Sequence, residues 1–178
     1  ASEAMGAFDY LVKPISRQSL ISCLDRLGQP LRRILLVDDE VDFVAHLSER
    51  LSLRDMNSQS ASSGEEALKS VGDNVPDIIV LDLKMPGIDG MEVLRRVKQY
   101  FPQIQVIILT GHGSDQDEAE ARRLGAFDYL RKPVDIEHLV NRIREAYKEL
   151  LKGMSDSMSA AAFAEEGEFD TAKKIVSK

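Results

Sequence analysis

Cysteine occurs once in the 178 residues, at Cys23, so no disulfide can close within the chain and no cysteine-based zinc site can form. Its neighbours Ile21, Leu24 and Leu27 suit a buried helical thiol. No run of about 18 apolar residues is present and the start is not a basic, apolar leader, so neither a membrane span nor an export signal is read and a cytoplasmic location is expected. Positive charge is also short. With 23 Lys and Arg against 30 Asp and Glu the net charge is −7, which argues against direct nucleic-acid binding, since that depends on a basic surface. The three histidines, His46, His112 and His138, have no metal-ligand spacing, and "GHGS" (111–114) lacks the lysine and spacing of a nucleotide-binding loop. What remains, 43% hydrophobic and 30% charged, is the composition of a globular chain with room for one domain and appendages.

From Arg33 onward, short β-rich runs alternate with helical periodicity, the pattern of repeated βαβ units around a parallel sheet. Strands are expected at "RILLVDD" (33–39), weakly at 57–61, at "DIIVLDL" (77–83), at "QIQVIILT" (103–110) and at "AFDYL" (126–130). The third and fourth carry consecutive apolar residues, as strands covered on both faces do. Helices follow each one. The first shows Val41, Val44, Leu47 and Leu51 and ends near Arg54; Ser63 and Glu66 have capping-box spacing for the second. The fifth, capped by Asp135, carries a stripe from Ile136 through Leu151 to a stop at Gly153. Five strands and five helices indicate an α/β fold with a doubly wound five-stranded parallel sheet, strand order 2-1-3-4-5.

In such a sheet ligands bind beyond the carboxyl ends of the strands, where the strand order reverses. The residues expected there are Asp38 and Asp39 after the first strand, Asp82 at the third, Thr110 at the fourth, and Lys132 after the fifth. Strands about 4.8 Å apart bring these endings to within roughly 10 Å of Asp82. Carboxylates so close repel unless a cation joins them, and an all-oxygen set of this kind suits Mg²⁺. Asp82 could then attack a phosphoryl group as nucleophile, with Lys132 and Thr110 binding the product.

Four segments, "LLVDDE" (35–40), "LDLKMPGIDG" (81–90), "ILTGHG" (108–113) and "GAFDYLRKP" (125–133), resemble in order and spacing the receiver domain of two-component response regulators. That resemblance covers residues 33–151. It implies a flavodoxin-like fold, Asp82 as phosphoacceptor, Asp39, Asp82 and the backbone carbonyl of Lys84 as direct Mg²⁺ ligands, and Asp38 acting mainly through water. Lys132 would contact the phosphoryl group. Thr110 and Tyr129 match the hydroxyl and aromatic switch positions, which would alter the surface of the fourth helix, fifth strand and fifth helix. A sensor histidine kinase or a histidine phosphotransfer protein would be the partner and phosphohistidine the donor. The chain would then be a signalling domain with no turnover substrate, not an enzyme.

Plainer roles exist for each residue: a helix cap for Asp39, a β-branched strand residue for Thr110, a solvated charge for Lys132, core packing for Tyr129. Their convergence favours the chemical reading. Two other functions compete with it. A docking or dimerisation module would have no use for the acidic trio, and a metal-dependent phosphatase would be expected to carry a second acid two residues after its nucleophile, where Lys84 stands.

The phrase "GAFDYLVKP" (6–14) repeats "GAFDYLRKP" (125–133) with one letter changed, while nothing between Asp25 and Ile104 appears twice. Residues 1–28 thus align with the last strand and helix of a preceding receiver, 29–32 form a linker, 33–152 the complete domain, and 153–178 a linker with a short helical tail bearing Phe169, Ala172, Ile175 and Val176. A chain starting with Ala is expected to begin inside a longer gene product. One possible outcome is a swapped homodimer in which Lys13 substitutes for Lys132.

Overall fold

The computed structural model describes residues 33–165. Five strands and five helices alternate: β1 (Ile34–Val37), α1 (Val41–Ser52), β2 (Ser58–Ala61), α2 (Gly64–Asp73), β3 (Ile78–Leu81), α3 (Gly90–Tyr100), β4 (Gln105–Thr110), α4 (Asp115–Arg123), β5 (Asp128–Arg131) and α5 (Ile136–Glu165). The sheet is parallel throughout and its order is β2-β1-β3-β4-β5. All of it lies in the unit Gln29–Leu150.

β1 and β3 are buried at every position, because helices cover both faces and each side chain needs an apolar partner whichever way it points. Leu35, Val37, Ile79, Leu81, Val106 and Ile108 join one core cluster with Ala67, Val71, Val93, Leu94, Val97 and Ala121 from α2, α3 and α4. The alternate positions point the other way. Leu36, Val80 and Leu109 line, with Val44 and Leu47 of α1, a cavity of about 10 Å³ on that side. Residues Leu139, Val140, Ile143 and Ala146 of α5 are fully buried.

The strands stop earlier than their apolar runs suggest. β1 ends at Val37 and β3 at Leu81, so Asp38, Asp39 and Asp82 project past the ladder instead of belonging to it. α1 ends at Ser52, two residues before Arg54, and Asp55 then turns with φ 58. The cap of α1 is Glu40, without a side-chain bond, so Asp39 is not the cap. Ser63 caps α2 by accepting from the Glu66 N–H at 3.1 Å, but the Glu66 carboxylate reaches Ser62 at 2.9 Å, so the box closes one residue early. β5 spans Asp128–Arg131, two residues later than expected at its start.

Gly153 does not stop α5, which continues as helix to Glu165, so residues 154–165 are not the flexible linker that the glycine suggests. A glycine inside a helix costs about 1 kcal/mol, whereas Met, Ala and Glu nearby are good helix formers and no proline follows to end the run. The expectations for residues 1–28, including the repeated phrase, Cys23, Lys13 and the swapped dimer, and for the tail from 166 to 178, lie outside the described residues. No helix of the described residues is long and apolar enough to cross a membrane.

Candidate phosphoacceptor site

Register brings the functional residues to one edge. Val37 pairs with both Ala61 and Leu81, and Leu81 with Ile108, so Asp38 and Asp82 leave the sheet at the same level and Thr110 lies one residue beyond. The Asp82 N–H donates to the Val37 carbonyl at 2.9 Å and the Asp38 N–H to Ala61 at 3.1 Å, extending the ladder just past the strand ends. Thr110 pairs with Arg131, and the Lys132 N–H donates to the Thr110 carbonyl at 2.9 Å.

Oxygens of Asp38, Asp39 and Asp82 all fall within 4.8 Å of one another. Asp38 is 5% and Asp82 6% exposed, while Asp39 faces solvent. Burial pushes the Asp82 carboxyl above the ordinary aspartate range; Asp38 pushes the same way, while Thr110, Lys132 and the Lys84 N–H oppose it without prevailing. Three carboxylates, two of them dry, make a donor set that a hard divalent cation satisfies and that its absence leaves repulsive. The residues present therefore fit Mg²⁺.

Lys132 Nζ donates to Asp38 Oδ2 at 2.6 Å and lies 3.6 Å from Glu40. Its side chain is 14% exposed. Burial by itself would lower the pKa of this amine, but the hydrogen bond and charge of Asp38, then Asp82 and Glu40, hold it above the usual lysine value. Its direct partner is thus Asp38, not Asp82. The other Asp38 oxygen accepts from the Glu40 N–H at 2.9 Å, tying β1 to the start of α1. The Lys132–Pro133 peptide is cis.

Thr110 is fully buried; its hydroxyl favours the charged form of Asp82 and accepts from the His112 N–H at 3.4 Å. Tyr129 is also inside, 5% exposed, and its hydroxyl has no hydrogen-bond partner. A Cβ on Gly113 would overlap that hydroxyl, so glycine there makes room for the ring. Lys84 lies on the loop after β3; its N–H favours the charged form of Asp82, and its ammonium lies 3.8 Å from Asp117. Among the histidines, His112 comes nearest the pocket, through its backbone, and is exposed.

Five residues went unnoticed in the sequence. Glu40 and Phe43 flank Lys132, whose Nζ is 4.2 Å from the Phe43 ring centroid, and nothing in the local pattern signals this. Ser114 and Asp117 form a full capping box at the start of α4, legible as a Ser-x-x-Asp spacing. Arg131 binds the Gly113 carbonyl at 3.1 Å and Asp115 at 2.8 Å, and packs over the Tyr129 ring at 5.7 Å.

An open doubly wound sheet with an acidic pocket at its switch point, opposed by a lysine and a buried threonine, defines a class of phosphate-handling α/β domain. Within that class, the response regulator receiver domain model matches residues 34–144, and the chain belongs to this family. It is 37% identical over 119 residues to sporulation initiation phosphotransferase F of Bacillus subtilis (strain 168), covering 67% of this chain and 93% of that protein. It is 39% identical over 118 residues to the DNA-binding transcriptional regulator NtrC of Klebsiella pneumoniae, covering 64% of this chain and 25% of the relative. The chain also matches only 24% of the length of the regulatory protein AtoC of Escherichia coli (strain K12). Among solved structures, a receiver domain from Clostridium thermocellum aligns with TM-score 0.64 at 38% identity, over 68% of this chain and 99% of that one. A CheY-like receiver domain from Methanospirillum hungatei JF-1 aligns with TM-score 0.67 at 27% identity, over 69% and 98%. The chain is thus a receiver domain homologous to two-component response regulators.

Proposed function

We propose that this chain accepts a phosphoryl group on Asp82 from a phosphohistidine of a sensor kinase or a histidine phosphotransfer protein. The single observation carrying this reading is the trio Asp38, Asp39 and Asp82 within 4.8 Å, with Lys132 bonded into it. An Asp82 oxygen attacks phosphorus as the bond to the donor imidazole nitrogen breaks, the electron pair leaving with that nitrogen. Asp38, Asp39, Asp82 and the Lys84 carbonyl would hold Mg²⁺, which when bound neutralises charge developing on the phosphoryl oxygens. Lys132 and the Thr110 hydroxyl bind the new dianion, and Lys132 must share or leave Asp38 to do so.

The aspartyl phosphate then favours one placement of Thr110 and Tyr129, and through Tyr129 the surface of α4, β5 and α5. Its hydrolysis is slow, so the chain acts as a signalling domain inside the cell, with no turnover substrate and no direct nucleic-acid contact. NtrC, of which the chain covers 25%, is by name a DNA-binding transcriptional regulator, and any DNA-binding output here would be carried by another module. The docking-module alternative gains no support from the pocket, because a docking surface gives no reason to bury two carboxylates together.

The test is intact mass after incubation with Mg²⁺ and a histidine-phosphorylated donor domain. One added phosphoryl group on the wild type and none on Asp82→Asn is expected. Rapid multiple turnover of donor would indicate a phosphatase instead, and no adduct a docking module.

A further inference from the structure

Lys132 has to serve two masters, the Asp38 carboxylate that now holds it and the phosphoryl group that would form on Asp82. The close contacts of its ammonium come from one short stretch at the end of β1 and the start of α1: Asp38 at 2.6 Å, Glu40 at 3.6 Å, and the Phe43 ring with its centroid 4.2 Å away. Asp38 restrains the ammonium by occupying one of its N–H donors, and Glu40 does so by its charge alone. The ring restrains it differently, through the negative face of the π system, which attracts the charge and leaves the donors free for other oxygens.

Phe43 is well placed for this. The next residue, Val44, and Leu47 are buried on the inner side of α1, which fixes the helix and leaves the Phe43 ring half-buried at the rim of the pocket. Phe43, Asp38 and Asp82 also line the same 10 Å³ cavity, so the ring stands beside the acidic cluster as well as beside Lys132. A lysine stem is long and flexible, and without a third contact its ammonium would swing into solvent on leaving Asp38.

We propose that Phe43 is a positioning residue for phosphoryl transfer, its ring forming the platform on which the Lys132 ammonium moves between Asp38 and the phosphoryl group on Asp82. The inference rests on the reading of Asp82 as phosphoacceptor and adds to it a residue that touches neither phosphate nor metal. Leucine at this position keeps an apolar cover and a good helix former but removes the π face; tyrosine keeps the face.

The experiment follows phosphorylation of the full chain by intact mass, with Mg²⁺ and a small acyl phosphate donor, at several donor concentrations. Phe43→Leu is expected to lose about threefold to tenfold in rate, the range one cation–ring contact carries, and Phe43→Tyr to recover most of it. Mg²⁺ affinity by calorimetry should be unchanged in both. The Lys132 ε-methylene proton resonance should be shifted upfield by the ring in wild type and in Phe43→Tyr, and lose that shift in Phe43→Leu. Equal rates for wild type and Phe43→Leu, or equal losses for Leu and Tyr, would overturn the positioning role while leaving Asp82 as the acceptor. No adduct on wild type would instead remove the acceptor reading itself, and this inference with it.

Discussion

At the scale of single residues, the site stores unfavourable electrostatics that ligands can relieve. Asp82 is buried beside Asp38, and its pKa stands above the ordinary value because burial disfavours the charged form. A carboxyl raised in the folded state binds its proton more tightly there than in the unfolded chain. The resulting penalty on folding is absent at acidic pH and grows as pH rises past about 4. Asp82→Asn should therefore stabilise the metal-free protein by on the order of 1 kcal/mol at pH 7 and by much less at pH 4, read as the difference in Tm between the two proteins at each pH. Tyr129 presents a second such cost. Its buried hydroxyl lacks a partner, and leaving such a group unsatisfied costs about 1–3 kcal/mol. Tyr129→Phe is predicted to raise stability by about 1 kcal/mol in urea unfolding, with no change in the m-value.

At the scale of elements, β5 is the hub between the pocket and the helices that flank it. Asp128, at its start, accepts from Arg142 of α5 at 2.6 Å and from Arg122 of α4 at 3.2 Å. Burial alone would raise its pKa, but the Tyr129 N–H and the two guanidiniums together hold it below the usual range. A carboxyl depressed in the folded state contributes stability above its unfolded pKa near 3.8, and that contribution is lost as pH falls further. Asp128→Asn should cost about 1–2 kcal/mol at pH 7, and the difference from wild type should shrink as pH falls below 3.8 in pH-dependent thermal melts. A close approach secures the other side of the pocket. At Gly90, the first residue of α3, a Cβ would overlap the Asp82 carbonyl and come within 2.6 Å of Leu83 Cα. Gly90→Ala is expected to destabilise by about 2 kcal/mol or more and to weaken Mg²⁺ binding by calorimetry, because α3 must move away from the loop that carries the Asp82 backbone.

At the scale of the whole molecule, the sheet order was legible because βαβ repetition with short connections leaves few topologies, and the buried β3 run "IIVL" marks a central strand. The acidic trio was legible for the same reason, since residues that follow parallel strands must emerge on one edge. What the letters hid is set by three-dimensional competition. Lys132 sits nearest Asp38 because that carboxylate lies closest to the end of its reach, and the aromatic beside it comes from a helix 89 residues earlier in the chain. The run of α5 through Gly153 was hidden by a local rule, since a single glycine costs only about 1 kcal/mol and the turn before it, Glu149 to Lys152, is made of good helix formers. Mg²⁺ binding to the folded state alone should raise the Tm of wild type in proportion to the logarithm of its concentration, and a scan with and without the ion should show a much smaller rise for Asp82→Asn.

The most direct measurement is chemical. Phosphorylated protein is reduced with borohydride, which converts an aspartyl phosphate to homoserine, and the modified residue is located by tandem mass spectrometry. Homoserine at position 82 alone is the predicted result; homoserine at position 38 or 39, or phosphate retained on a histidine or serine, would contradict the assignment of Asp82 as the acceptor.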